Sequence, residues 1–295
     1  MTAAFVAALR GLGDVLPDDV RLVDDPFGAG FAGPGLAQLA ALAGRLPHIA
    51  GRALLLVPPL AHTILWMQLR TRTLDDALVA FARAGGRQVL LLGAGFDCRA
   101  ARFRDALADG VVYEVDHPAT QAKKREVLER AGAESARVAY LAWDFERERM
   151  ADLPSRLAAL GHDPVRPTLT LWEGVTMYLT PDAIESTVDA VRALSGPGSR
   201  LVMTYFDRRR LDRPLLENRL MGAIVNLVGE PFRFGWIPEE LPGWLAARGF
   251  TVVDDVSDAD LARRHFPRRY ARIVESGWRR IATTERIATA SRAEA

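Results

Sequence analysis

The stretch "RQVLLLGAGFDCRAARF", residues 87–103, predicts a strand, a glycine turn and a helix in immediate succession. Its apolar run ends at Gly93, Ala94 and Gly95, and an amphipathic segment begins after Asp97. In open α/β sheets a turn of this kind lies at the carboxyl end of a strand, where ligands bind. The stretch therefore predicts an α/β sheet with a ligand site at its glycine turn.

Short apolar runs alternate with helical patterns from residue 87 onwards. Such runs are typical of strands buried on both faces, and the alternation indicates a parallel, doubly wound sheet. The predicted strands are Gln88–Leu92, Val111–Val115, Val138–Ala142, Thr168–Trp172, Leu201–Tyr205, residues 251–256 and, last, residues 285–290. The predicted helices between the first five strands lie at 98–108, 119–131, 150–160 and 181–194, the last with Thr180 as N-cap and Pro181 at its first position.

We predict one domain over residues 1–295, in four parts. Residues 1–85 form an N-terminal helical cap and residues 86–205 the ligand-binding core. Residues 206–236 interrupt the alternation and are predicted to be an inserted helical lid after the fifth strand. Residues 237–295 complete the sheet, with a helical stretch around 258–279 before the last strand.

Charge and composition exclude several classes of function. Lys and Arg total 38 against 37 for Asp and Glu, so the net charge of +1 indicates neither a nucleic-acid nor an anionic-membrane partner. The single cysteine, Cys98, cannot form an internal disulfide, which favours a reducing compartment. The most apolar run, residues 53–66, is shorter than the ~20 residues of a spanning helix, and the N-terminus lacks a basic signal-peptide start. We expect a soluble, cytoplasmic protein.

The glycine turn does not complete the dinucleotide fingerprint G-x-G-x-x-G, because Cys98 stands where the third glycine is required. Three successive strands instead deliver acids to one edge of the sheet, at Asp116, Asp144 and Glu173. Such a cluster repels phosphate but suits a diol, an amine and a positive charge. S-adenosylmethionine carries all of these, so we predict it as the cofactor; an NAD-dependent dehydrogenase is the alternative that the glycine turn alone would allow.

The segments "LLGAGFDCRAARF", "YEVDHPATQAKK", "AWDF" and "LWEGVTMYLTPDAIEST" resemble the leucine carboxyl methyltransferase-like family of S-adenosylmethionine-dependent O-methyltransferases. The similarity covers roughly residues 24–205, from "DDPFGAGF" through "RTRTLDDAL". It implies a Rossmann-like class I methyltransferase sheet of about seven strands, the last antiparallel. Bacterial members include enzymes of polyketide biosynthesis, so the resemblance implies an acceptor of that type.

The resemblance also implies roles for individual residues. The implied cofactor-binding residues are Arg70 at the methionine carboxylate, Gly93, Ala94 and Gly95 at the methionine part and sulfonium, Asp116 at the ribose, Asp144 and Phe145 at the adenine, and Glu173 near the methionyl group. Two simpler interpretations stay open. Asp116 could cap the following helix, and Arg70 could pair with Asp75 or Asp76 on a helix surface.

The acceptor is predicted to be a carboxylic acid of a small molecule. A carboxylate is ionised at neutral pH and needs no general base, whereas a phenol would need one. Tyr178, Tyr205 and Arg208 are candidates to orient the acceptor, on location only. A phenolic acceptor and a non-catalytic S-adenosylmethionine-binding protein are the alternatives. No metal site is expected, and a homo-oligomer stays open.

Overall fold

The computed structural model describes residues 2–32, 47–212 and 232–287. Its centre is a seven-stranded sheet with the order β3-β2-β1-β4-β5-β7-β6. The strands are β1 Gln88–Leu92, β2 Val111–Asp116, β3 Val138–Ala142, β4 Thr168–Trp172, β5 Arg200–Phe206, β6 Phe250–Ser257 and β7 Arg279–Arg286. Strands β1 to β5 pair in parallel, and β7 runs antiparallel to both β5 and β6. The predicted α/β class and the antiparallel last strand are confirmed.

Helices flank the sheet on both faces. They are α1 Thr2–Gly11, α2 Pro47–Leu55, α3 Pro58–Arg83, α4 Arg99–Arg102, α5 Pro118–Arg130, α6 Leu153–Ala159, α7 Pro181–Ala193, α8 Arg208–Asp212, α9 Leu241–Ala246, α10 Asp258–His265 and α11 Arg268–Ala271. The predicted start of α7 is confirmed, since the Thr180 hydroxyl accepts a hydrogen bond from the backbone N–H of Ala183 at 3.3 Å.

Strand β1 shows why the predicted strands were accurate. All five of its residues are buried. Leu91 packs into a cluster that includes much of α3, and its neighbours Leu90 and Leu92 pack into a second cluster that includes α7. Successive side chains of a strand point to opposite faces, so a run that is apolar at every position forms a strand covered on both sides.

Two predicted elements differ from the structure. The last strand begins at Arg279 rather than at residue 285, because the preceding helical stretch ends at Val274 and a turn with Gly277 at φ +68° leads directly into the strand. The helix predicted at 98–108 ends at Arg102, because the backbone of Phe103 leaves the helical region at φ −118° and ψ 29°. Turns occupy the rest of that segment.

The segment predicted to be a lid is described only in part. It begins with α8 and re-enters at Phe232, while residues 213–231 lie outside the described residues. Trp236 bridges to Asp207 beside the end of β5. Phe234 and Trp236 pack against the core, whereas Phe232 lines the cavity described below.

In the three described ranges, no single helix is both long and apolar enough to cross a membrane. Ile49–Leu55 and Pro58–Arg83 would meet the requirements of length and composition only as a pair, and they are bent by 109° at their junction. The middle of α3 is buried in the core of the domain.

Candidate functional site

A cavity of about 710 Å³ opens at the carboxyl edge of the parallel strands. This edge is where doubly wound sheets bind ligands, and the volume falls within the roughly 300–1,000 Å³ of small-molecule sites. Its lining follows the strand order: Phe145 after β3, Asp116 on β2, Gly93 after β1, Glu173 after β4, Phe206 on β5 and Arg279 on β7. Five strand spacings of about 4.8 Å separate β3 from β7, so the cavity extends over roughly 24 Å.

The glycine turn forms the floor of the cavity beside β1. Gly93 has φ +70° and Gly95 φ +51°, the left-handed region that glycine adopts without cost. The N–H groups of Gly93 and Ala94 donate to the carbonyl of Val115 at 2.9 and 3.1 Å. A side chain at Gly93 would lie 2.7 Å from Cγ2 of Val175. These hydrogen bonds hold the turn against the end of β2, and its backbone borders the cavity.

Asp116 is fixed by the backbone on both sides. One carboxylate oxygen accepts from the N–H of Gly95 at 2.7 Å, and the other accepts from the N–H of His117 at 2.7 Å. The N-cap of α5 is the His117 side chain, which accepts from Ala119. The carboxylate of Asp116 borders the cavity with an orientation set by the glycine turn.

The two residues predicted at the adenine, Asp144 and Phe145, have different surroundings. Phe145 lines the cavity, and 40% of its surface is exposed. Asp144 is not among the lining residues. Its carboxylate accepts from the N–H of Glu146 at 3.0 Å, and its own N–H donates to Glu148 at 2.9 Å. Asp144 therefore closes the local turn, while Phe145 presents an aromatic ring to the cavity.

Arg70 and Glu173, predicted independently of each other, are direct partners. Nε of Arg70 lies 2.7 Å from Oε1 of Glu173, and Nη1 of Arg99 lies 2.7 Å from Oε2 of the same carboxylate. Burial by itself raises the pKa of Glu173, but the charges of Arg99, Arg70 and Arg10 outweigh it and hold the pKa well below its ordinary value. Glu173 is therefore ionised at every physiological pH, and Arg70 does not pair with Asp75 or Asp76.

Arg99 connects this pair to the rest of the domain. Its Nε donates to Asp75 at 2.7 Å, and its Nη1 also contacts Asp97. Asp75 in turn accepts from Arg102 at 2.5 Å. Burial lowers the pKa of the Arg99 guanidinium, but Asp97, Glu173 and Asp75 together hold it well above its ordinary value. The result is a buried network of ion pairs that joins α3, α4 and the loop after β4.

Arg10 brings the N-terminal helix into the site. Its Nε donates to Asp25 at 2.9 Å and one Nη donates to the carbonyl of Phe96 at 2.5 Å, and its side chain lines the cavity. Arg10, Asp97 and Arg99 were not among the site residues predicted from the sequence. Asp25 and Asp97 lie within the quoted segments "DDPFGAGF" and "GFDCRAAR". An acid next to an apolar run tends to be buried, and a buried acid needs a cationic partner. The positions of Asp25 and Asp97 therefore indicated that arginines would pair with them.

Of the three acceptor candidates, only Tyr178 lines the cavity. Tyr205 is buried elsewhere: its hydroxyl donates to Asp255 at 2.7 Å and accepts from Arg280 at 2.9 Å. Arg208 is exposed and lies outside the lining. Alternation along β5 turns Tyr205 to the face opposite Thr204 and Phe206. Arg208 lies beyond the end of that strand, on α8, and neither residue lines the cavity.

The part of the cavity beside β5 and β7 differs in chemistry from the part beside β1 to β3. We call it the acceptor half; its described lining residues are Thr63, Trp66, Met67, Met177, Tyr178, Leu179, Thr204, Phe206, Phe232, Arg233 and Arg279. These side chains include two guanidinium groups and a phenol, whereas the carboxylates among the described lining residues lie at the ends of β1 to β4, at Asp97, Asp116, Glu146 and Glu173.

Comparison with known proteins places the chain in a family. A family model described as leucine carboxyl methyltransferase matches residues 3–192. A candidate S-adenosyl-L-methionine-dependent methyltransferase of Mycolicibacterium gilvum is 38% identical over 235 residues, covering 74% of this chain and 73% of the relative. Another from Streptomyces coelicolor is 36% identical over 257 residues, covering 84% of this chain and 82% of the relative.

Solved structures show the same fold. A DUF574 family protein of Streptomyces avermitilis superposes with a TM-score of 0.57 at 18% identity, covering 95% of this chain and 96% of that protein. A candidate methyltransferase of Thermobifida fusca gives a TM-score of 0.58 at 20% identity, covering 94% of this chain and 98% of that protein. At these identities the similarity shows the fold alone, and the family rests on the sequence relatives.

Proposed function

Because the chain belongs to the leucine carboxyl methyltransferase family, it is an S-adenosyl-L-methionine-dependent methyltransferase, and we propose that it methylates a carboxylate oxygen of a small molecule. The observation that carries this proposal is the chemistry of the acceptor half. It contains cations that attract a carboxylate and, among the described residues, no carboxylate or imidazole that could deprotonate a phenol. A carboxylate, with an ordinary pKa near 4, needs no such base.

The half of the cavity beside β1, β2 and β3 fits the cofactor. Asp116 presents a fixed carboxylate to which a ribose diol can donate, and the exposed ring of Phe145 can cover an adenine. Gly93 and Gly95 leave room for a ligand against the backbone. We assign Asp116 and Phe145 to binding of the nucleoside part and the glycine turn to the methionine part.

Arg70 is proposed to bind the carboxylate of the methionine part, with Glu173 as its positioning residue. Glu173 shares its two oxygens between Arg70 and Arg99, which leaves further N–H donors of Arg70 for a ligand. Glu173 thus acts on the cofactor through Arg70 rather than as a free acid facing a cation. This changes the expectation drawn from the sequence, where Glu173 stood alone near the methionyl group.

When bound, S-adenosylmethionine supplies a methyl group that the acceptor oxygen takes from the sulfonium, giving a methyl ester and S-adenosylhomocysteine. The chain's own contribution is to orient and to exclude water. Cationic side chains orient the carboxylate, and the apolar side chains of Met67, Met177 and Phe206 shield it from solvent. No protein group gains or loses a proton. An acceptor of the polyketide type, with a carboxyl group on an apolar body, suits this lining.

The test is a methyl-transfer assay with a methyl-tritiated cofactor and a panel of aromatic and aliphatic carboxylic acids and phenols. A carboxyl methyl ester releases volatile tritiated methanol in mild base, whereas a phenyl ether does not. We expect base-labile product from at least one carboxylic acid. Product that is entirely base-stable would assign the enzyme to phenolic acceptors and contradict the proposal.

A further inference from the structure

Arg279 reaches the acceptor half because β7 runs against the other strands. In the antiparallel pairing with β5, Arg279 at the start of β7 lies opposite Phe206 at the end of β5. The first residue of β7 therefore stands at the same edge as the last residues of the parallel strands. Arg279 is 7% exposed and lines the cavity.

The guanidinium of Arg279 differs from the other buried guanidiniums of the cavity. Arg10 lies 2.9 Å from a carboxylate oxygen of Asp25, and Arg70 lies 2.7 Å from one of Glu173. No carboxylate of the described residues lies within 4 Å of Arg279. Among those residues its one side-chain hydrogen-bond partner is Nδ1 of His62, at 3.1 Å. A buried cation without an anionic partner is costly, and a carboxylate that enters the cavity would provide the partner.

A part-buried hydrogen-bond chain holds Arg279 in place. Arginine can only donate, so Nδ1 of His62 accepts and its Nε2–H donates to the hydroxyl of Ser276 at 3.2 Å. That hydroxyl donates to Asp258 at 2.7 Å. Asp258 is thus linked to Arg279 only through His62 and Ser276, and it makes no direct contact with the guanidinium. The other N–H donors of Arg279 remain for a ligand in the cavity.

Two indole rings border the same guanidinium. Its central carbon lies 5.1 Å from the ring centre of Trp278 and 5.9 Å from that of Trp66. Both tryptophans are buried, and Trp66 also lines the cavity. Aromatic faces stabilise a guanidinium without using its N–H donors, so they hold the cation but leave its hydrogen-bonding capacity free.

We propose that Arg279 binds the carboxylate of the methyl acceptor and that His62 is its positioning residue. The inference rests on the proposed function and deepens it. The acceptor class is a small monocarboxylic acid with an aromatic or bulky apolar body, which Trp66, Phe206 and Phe232 contact while Arg279 holds the carboxylate. A planar fork of donors suits two carboxylate oxygens, one of which then faces the methyl group.

The test is calorimetric titration of S-adenosylhomocysteine-saturated protein with benzoate, 3-phenylpropanoate and octanoate, each beside its neutral amide. The protein should bind at least one acid more tightly than its amide. Arg279→Gln should weaken that acid at least roughly tenfold, since charge-assisted hydrogen bonds are lost, and leave the amide and S-adenosylhomocysteine unchanged. Arg268→Gln, which removes an exposed arginine outside the cavity, is the charge-matched control.

Two results would overturn the inference: no preference of the unaltered protein for any acid, or full retention of the preference in Arg279→Gln. The methyl-transfer assay in parallel separates this inference from the proposed function. Acids could bind through Arg279 while methylation occurs only on the phenol oxygen of an acid that also carries a phenol. In that case the proposed function fails and the Arg279 site stands. If methyl esters form equally well with Arg279→Gln, the site fails and the proposed function stands.

His62 is tested by a pair of variants. His62→Asn keeps an acceptor near the position of Nδ1, and His62→Leu removes it. We expect His62→Leu to raise KM for the acid severalfold without changing the Kd of S-adenosylhomocysteine, and His62→Asn to restore most of the loss. Equal loss in both variants, or a parallel loss of cofactor binding, would show a merely structural role.

Discussion

Nε of Arg70 lies 2.7 Å from Oε1 of Glu173, and their side chains are only 8% and 12% exposed. The pair therefore differs from a surface ion pair of the same length. Arg200 and Glu285 are also 2.7 Å apart, but their side chains are 39% and 47% exposed. Breaking a buried pair leaves a charge without compensation in a medium of low polarity, whereas water replaces a lost surface partner.

Glu173→Gln should therefore lower the free energy of unfolding by about 3–5 kcal/mol, because it leaves Arg70 and Arg99 to share a neutral partner. Glu285→Gln removes the same charge from the exposed pair and should cost about 1 kcal/mol or less. Urea denaturation of the two variants measures both values. Equal losses would contradict the assignment of Glu173 to a buried ionised cluster.

Gly93→Ala should cost more than Gly132→Ala, although both glycines have positive φ, at +70° and +61°. An added Cβ has nothing within 4 Å at Gly132, so that variant shows only the backbone strain, about 1–2 kcal/mol. At Gly93 the Cβ would also lie 2.7 Å from Cγ2 of Val175. Denaturation and cofactor calorimetry should both show a larger effect.

The double variant Gly93→Ala with Val175→Ala isolates the clash. Removing the two γ-methyl groups of Val175 should restore part of the stability lost in Gly93→Ala, a favourable coupling between the two sites. Strictly additive losses would mean that strain alone, without the contact to Val175, explains the requirement for glycine.

His62 and Asp258 should give the stability opposite dependences on pH. Burial and the charge of Arg279 lower the pKa of His62 to about 3 from its ordinary 6.5, so the stability it contributes is present above pH 6.5 and is lost as pH falls toward 3. Burial raises the pKa of Asp258 to about 6 from 3.8, so its contribution is present below pH 3.8 and is lost as pH rises through 6. Between about pH 4 and 6 the two contributions oppose each other.

Single variants should separate the two contributions. Over the range from about pH 4 to 6, Asp258→Asn should make the stability rise more steeply with pH, and His62→Asn should shift the slope in the opposite direction. Each change can reach at most about 1.4 kcal/mol per pH unit. Denaturant titrations at several pH values measure the slopes; a shift in the same direction for both variants would contradict these assignments.

Tyr205→Phe should affect the stability and not the reaction. Loss of the hydroxyl removes one hydrogen bond to Asp255 and one from Arg280, but these two side chains keep their direct ion pair at 3.1 Å, so the cost should be about 0.5–1.5 kcal/mol. KM for the acceptor and the Kd of S-adenosylhomocysteine should stay within about twofold of the unaltered protein. A selective rise in KM would show that Tyr205 contacts the acceptor. Its hydrogen bonds to Asp255 on β6 and Arg280 on β7 predict that it does not.

The strands and the glycine turn could be predicted because their signals are local. A strand such as Gln88–Leu92 is apolar at every position, and positive φ is expected of glycines in a tight turn. Asp116 and Glu173 could be predicted for the same reason, since Asp116 ends its strand and Glu173 follows its strand directly. Their positions at one edge follow from parallel pairing alone.

The partners of these acids could not be predicted, because they come from distant parts of the chain. Arg99 reaches Glu173 across 74 residues, and Arg10 reaches Phe96 across 86. Asp144 followed the same local pattern as Asp116 but turned out to close its own loop. Local pattern identifies candidates, and only the tertiary structure decides which of them face the cavity. The importance of Arg279 was hidden by the wrong start of the last strand.

The reversed direction of β7 also brings a residue from the last part of the sequence to the proposed acceptor site. A parallel strand of eight residues in that position would place Arg279 roughly 25 Å away, at the opposite edge of the sheet. The residues proposed for the methyl donor lie between positions 70 and 173, and Arg279, proposed to face the acceptor, lies more than 100 positions later. A substitution at Arg279 would therefore alter the proposed acceptor site without changing any residue proposed for the methyl donor.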